Sequence, residues 1–174
     1  MGASTTTYLL DTNIFVTPHR TYYAFDFAQP FWDFLIREAE NGKIGTIDEV
    51  KNEIVNGEGY LADWFKDNFQ IYCDSSQTPA ILQAYQTLVQ RVNGSMVYNQ
   101  RAKDEFMNVT NADSWLLAHC LAAQTAHKDV CLVTAEVYSP LSKRRVPIPN
   151  ICKDFDLEYC TCFDLIRELN FSFK

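Results

Sequence analysis

No run in this chain approaches the roughly 18 apolar residues that a membrane-spanning helix needs, so no such helix is expected. The first residues, Met1 to Thr7, lack the basic and apolar regions of a secretory signal. Met1-Gly2 with Thr6 is too slight a match to a myristoylation signal to count. A cytoplasmic location is the expectation. The six cysteines include no Cys-x-x-Cys pair, so buried thiols are expected in place of disulfides. A zinc site built with His119 or His127 ranks well behind.

Nucleotide-binding and hydrolase signatures are also missing. There is no G-x-x-x-x-G-K-S/T run and no G-x-S-x-G elbow, and Gly57-Glu58-Gly59 lies in the wrong context for a G-x-G-x-x-G turn. Positive charge is in deficit, 15 Lys and Arg against 22 Asp and Glu, giving a formal net charge of −7. That excludes a surface attracting nucleic acid as a whole. It leaves room for an enzyme that reaches nucleic acid through metal ions, for which clustered carboxylates are required. The one basic run, Lys143-Arg144-Arg145, reads as a solvated loop.

What is present is a globular chain of 174 residues, 47% hydrophobic and 21% charged, with 12 Phe and 9 Tyr. Without repeats or linkers it is read as one domain, 1–174. Strands are expected at Thr7–Leu10, Lys43–Thr46, Phe69–Cys73, Val130–Thr134 and Leu157–Thr161. Helices are expected from Pro30 to Asn41-Gly42, over Ile47–Asn56 and Leu61–Asn68, and from Pro79 to Val92 behind a Thr78 cap. Further helices are expected over Val97–Asn108, Ala112–His127 and Asp164–Asn170. Thr17–Gln29 reads as a long aromatic connection, and the stretch with Pro140, Pro147 and Pro149 as a loop. Alternating strands and helices imply a three-layer α/β/α fold with a mainly parallel sheet of four to five strands.

In such a sheet all strands end along one edge, where ligand crevices form. Asp11 directly follows the first strand, Glu136 lies two residues beyond Thr134, and Asp113 falls in the first turn of the apolar helix between them. A fourth acid is sought on the helix after the second strand. Thr46-x-x-Glu49 has the form of a capping box, which occupies Glu49 and leaves Glu53 preferred. Each acid also has a plain reading: a strand-ending turn for Asp11, complement to a helix dipole for Asp113, and an ordinary exposed glutamate for Glu53. His119 reads as a satisfied core residue, His127 as a helix-end residue, and His19 with Arg20 as a weaker phosphate-contact candidate.

Leu9-Leu10-Asp11-Thr12-Asn13, Val50-x-x-Glu53-Ile54, Asn111-Ala112-Asp113-Ser114-Trp115 and Leu132-Val133-Thr134-Ala135-Glu136 occur in the order and spacing of a known family. The chain resembles the PIN-domain ribonucleases from Tyr8 to about Leu169, and within them VapC-like toxins with an elongated first loop. Many PIN domains carry aspartate where this chain has Glu136. The resemblance implies a PIN-like sheet and a metal-dependent endoribonuclease, the toxin of a toxin–antitoxin pair. It implies Mg²⁺ or Mn²⁺ held by Asp11, Glu53, Asp113 and Glu136, with Asn13, Thr134 and Arg20 supporting carboxylates or substrate. RNA is then the substrate, an antitoxin protein the partner, and a homodimer is allowed. The alternative is a non-catalytic PIN-like module that binds RNA or protein. A phosphatase of the strand-end aspartate type would want a second acid where Asn13 stands, and a phosphoreceiver would want paired early acids.

Overall fold

A computed structural model describes residues 7–173. Five strands form an all-parallel sheet: β1 (Thr7–Leu10), β2 (Ile44–Ile47), β3 (Cys73–Asp74), β4 (Val130–Val133) and β5 (Tyr159–Cys160), in the order β3-β2-β1-β4-β5. β1 pairs with β4 through Leu9↔Leu132 and with β2 through Tyr8↔Ile44. Both faces of the central strand are covered, which is why Tyr8-Leu9-Leu10 reads as an unbroken apolar run. The strand order reverses between β1 and β4, and this is where an open parallel sheet leaves its crevice.

The helices are α1 (Asn13–Arg20), α2 (Gln29–Glu40), α3 (Asp48–Asn56), α4 (Tyr60–Asn68), α5 (Pro79–Asn93), α6 (Gln100–Phe106), α7 (Ala112–Thr125), α8 (Ile148–Phe155) and α9 (Cys162–Glu168). Helix α2 stops where Asn41-Gly42 predicts, with Gly42 at a φ of +68° that only glycine adopts freely. Helix α7 is almost wholly buried from Ala112 to Ala118 and packs chiefly against α5 and β4. His127, at a φ of +54°, lies just beyond its end.

Several expectations are corrected. The connection expected from Thr17 gives up its first four residues to α1, which runs over Asn13–Arg20 with Pro18 inside the helix and buried on the same face as Ile14 and Phe15. Burial of that face outweighs the single hydrogen bond Pro18 cannot donate. The loop with three prolines gives way to α8, because Pro149 falls in the helix's first turn, where no N–H is needed. Residues 70–72 form a 3₁₀ turn and β3 keeps only two residues, since β2 offers partners only at Thr46↔Cys73 and Ile47↔Asp74. Helix α6 is shorter than read, starting behind an Asn99 cap that accepts from Ala102 N–H at 2.9 Å.

The capping box is also elsewhere. Thr46 lies in β2 and its hydroxyl donates to Leu10 O at 2.6 Å, while α3 starts without a side-chain cap. The true box joins Thr161 and Asp164 at the start of α9. All six cysteines are free thiols, and no helix of the described residues is long and apolar enough to cross a membrane.

The aromatic stretch after α1 turns inward. Phe25 stacks on Trp32 with centroids 4.2 Å apart, and Trp32 donates its indole N–H to Tyr23 O at 2.8 Å. Trp32 is fully buried against Phe31 and Trp64. Trp32→Ala should therefore cost about 3–5 kcal/mol of stability through the cavity it leaves. Urea denaturation checks this, and a loss below ~1 kcal/mol would mean that the cluster is not structural.

Candidate active site

Asp11 leaves β1 at the point of strand-order reversal and is 1% exposed. Its Oδ2 accepts from Thr134 Oγ1 at 2.8 Å and from Asn13 Nδ2 at 3.3 Å. Thr134 follows β4, which lies beside β1, so the side chain comes from directly across the crevice. Asn13 is the first residue of α1, so the positive end of that helix also faces Asp11. These donors favour the carboxylate, yet burial outweighs them, and the charges of Glu136 and Glu53 add to it. The Asp11 pKa is pushed up to about 6.

Asp113 stands in the first turn of α7, and the Asn111 side chain caps that turn by accepting from Asp113 N–H at 2.9 Å. Among the described residues no hydrogen bond reaches its carboxylate. Burial first, then the charges of Asp11, Glu136 and Glu53, push its pKa up to about 8. Arg145 acts in the opposite direction. Two aspartates largely withdrawn from solvent that both resist ionisation are the electrostatic sign of a site short of positive charge.

The two glutamates are tied down. Glu53, on α3, accepts from Thr12 Oγ1 at 2.6 Å and from Ala112 N–H at 3.0 Å. It thus caps α7 from another helix and locks the frame that carries Asp113 to the one that carries Asp11. Glu136 accepts from Ile148 N–H at 2.7 Å, and its other oxygen pairs with the Arg145 guanidinium. The Glu136 backbone N–H donates to Thr134 Oγ1 at 3.1 Å. Glu49 turns away from the crevice, accepting from Ser76, whose hydroxyl lies 3.1 Å from His119 Nε2.

The structure therefore brings Asp11, Asn13, Glu53, Asp113, Thr134 and Glu136 to one edge of the sheet. Arg20 stands apart, exposed at the far end of the eight-residue α1, about 10 Å along the axis from Asn13. His19 packs its ring against Phe25 and Trp32 and does not face the acids. Two residues carry more than their sequence suggests. Thr12 holds Glu53, a role its place between Asp11 and Asn13 could have signalled. Arg145 meets Glu136, although the basic run around it has the look of a solvated loop.

The donor set is all oxygen and suits a hard cation. Among the described residues, no group of three His, Cys, Asp or Glu side chains is arranged to hold one ion together. The fit is thus to an ion held by one or two carboxylates, with water and phosphate oxygens completing the shell, a mode Mg²⁺ commonly adopts. Among the described residues Asp11 keeps one carboxylate oxygen, and Asp113 both, without a donor; Glu53 and Glu136 already have donors on both oxygens.

Comparison with known proteins adds a family and no activity. No curated protein and no solved structure matches the chain significantly. Residues 8–173 match the family described as Domain of unknown function (DUF4411). With nearly its whole length so matched, the chain belongs to the DUF4411 family.

Proposed function

We propose that this chain is a metal-dependent endoribonuclease of PIN-like type that hydrolyses RNA phosphodiester bonds, the toxin of a toxin–antitoxin pair. The observation that carries this is the meeting of Asp11 and Asp113 at the strand-order reversal, both with pKa values raised first by burial and then by the negative charge of neighbouring acids. A divalent cation bound there would neutralise phosphate charge and supply a water nucleophile at neutral pH.

The chain's own residues do the rest. Thr134 and Asn13 fix the Asp11 carboxylate in one orientation, leaving Oδ1 for a ligand. Glu53 keeps α7, and with it Asp113, in register with Thr12. Glu136 is the longer side chain where many PIN domains have aspartate, and it is aimed by Ile148 N–H. Mg²⁺ or Mn²⁺ would be held by Asp11 and Asp113, with Glu53 and Glu136 placed to orient water around it. The family resemblance supplies the toxin assignment, and with it an antitoxin partner and a homodimer as proposals. The pairing of Glu136 with Arg145 favours the second reading, a non-catalytic module that binds RNA or protein.

Cleavage of a mixed RNA pool by the purified chain with Mn²⁺, read on a denaturing gel, separates the two. Fragments that disappear with chelator support the nuclease. Intact RNA, together with no calorimetric signal for Mn²⁺, would sink it. Thr134→Val should lower metal affinity or activity about 10–100-fold, the range for a lost partner of a metal-ligating carboxylate. Calorimetry of Mn²⁺ binding checks this, and unchanged affinity and rate would remove Thr134 from the site.

A further inference from the structure

The segment between β4 and α8 leaves Lys143, Arg144 and Arg145 exposed, and Arg145 stands at the crevice rim. Its backbone is fixed. Asn99 N–H donates to Lys143 O at 2.8 Å, Ser142 Oγ donates to Arg145 O at 2.9 Å, and Val146 is buried directly after. The Arg145 side chain is nevertheless 64% exposed, and its guanidinium reaches the acids by pairing with Glu136, which is only 10% exposed. The same residue lines a cleft of about 530 Å³ with Asn13, Thr17 and Glu136, and a smaller one with Asn111 and Asp113. One guanidinium therefore stands at the junction of both clefts.

Its bonding is incomplete. Glu136 takes one nitrogen, while the second Glu136 oxygen is satisfied by Ile148 N–H. Among the described residues no other hydrogen bond uses the five N–H donors of the guanidinium. Lys143 and Arg144 form no ion pair among the described residues. A pair whose cation is this exposed is weak and exchanges readily, and a phosphate offers arginine a two-pronged partner in its place.

We infer that Arg145 is a phosphate-contacting residue, gripping the RNA backbone beside the acidic crevice, with Lys143 and Arg144 following that backbone outward. This rests on the nuclease reading and names how that site takes hold of its substrate. Glu136 is the resting place of the guanidinium until a phosphate arrives.

The test uses the full chain carrying Asp11→Asn, so that RNA is bound without being cut. Binding of a short fluorescent single-stranded RNA is measured by anisotropy over a series of salt concentrations. Adding Arg145→Ala should weaken binding by roughly tenfold or more and reduce the slope of log affinity against log salt by about one. Arg145→Lys should keep the slope but recover only part of the affinity, since an ammonium lacks the planar fork. Arg167→Ala removes an equal charge from α9, where Arg167 pairs with Asp164, and should change neither quantity comparably. An unchanged affinity and slope for Arg145→Ala, an equal loss for Arg167→Ala, or no RNA binding by the Asp11→Asn chain would each overturn the inference. Cleavage by the unsubstituted chain is scored separately. A chain that binds RNA through Arg145 and cuts none with Mn²⁺ sinks the nuclease reading alone.

Discussion

Asp11→Asn is expected to lower RNA cleavage by at least about 10³-fold while leaving the fold intact. A cation and its ligands contribute several kcal/mol of charge stabilisation in phosphoryl chemistry, and each ~1.4 kcal/mol is a factor of ten in rate. The amide keeps the size of the carboxylate, and its oxygen still accepts from Thr134 Oγ1, now 2.8 Å away. What is lost is the charge, in a position 1% exposed and surrounded by other acids. Circular dichroism should therefore be unchanged and the metal-free melting temperature no lower than that of the parent. A retained cleavage rate would show that Asp11 is not the residue holding the cation. A collapse of the fold would show that its charge is structural.

Asp113→Asn should stabilise the metal-free protein, by about 1–3 kcal/mol at pH 8. For this chain length that is a rise of roughly 3–8 °C in melting temperature. The sign follows from proton linkage. Asp113 has its pKa raised from 3.8 to about 8 in the folded chain, so between those values the folded state holds a proton that the unfolded state has released. Stability then falls as pH rises through that window. Asp11, raised to about 6, contributes the same slope over the lower part of it. Loss of the negative charge from the first turn of α7 works against the gain, by about 0.3–1 kcal/mol. Melting curves in chelator from pH 5 to pH 8.5 should fall for the parent and flatten above about pH 6 for Asp113→Asn. Mg²⁺ or Mn²⁺ should raise the parent's curve most at the alkaline end. If the substitution destabilises at pH 8, the crowding of acids is not the dominant force on Asp113.

How a local signal fared depended on whether its physics was local. Asn41-Gly42 ends α2, Thr78-Pro79 opens α5 and Asn111 caps α7, each a decision made within one turn of chain. Two prolines misled in the same direction, each lying in a helix where a connection was expected, since a proline's effect depends on its place in a helix and on what its ring packs against. Pro18 is tolerated because its face is buried, and Pro149 because it sits in a first turn. A Thr-x-x-Glu pattern suggested a cap at α3, but a strand claims Thr46 before the helix begins, and the hydroxyl serves Leu10. The shortness of β3 was invisible, because strand length there is set by how far β2 runs beside it.

The sequence by itself determined the alternation of elements, hence a parallel sheet, and the strand-end position of Asp11 with the later acids in order behind it. Tertiary structure alone decided which acids are free. Strand order puts β1 beside β4, so Thr134 meets Asp11, and it brings α3 to the start of α7, so Glu53 is spent on Ala112 N–H and Thr12. It gave Glu136 to Arg145 and Ile148, and took Arg20 away along α1. The physical reason is that composition and period specify which way a side chain faces along its own element. Hydrogen-bond partners and desolvation depend on neighbours from distant segments, and those set the charge each carboxylate can bear.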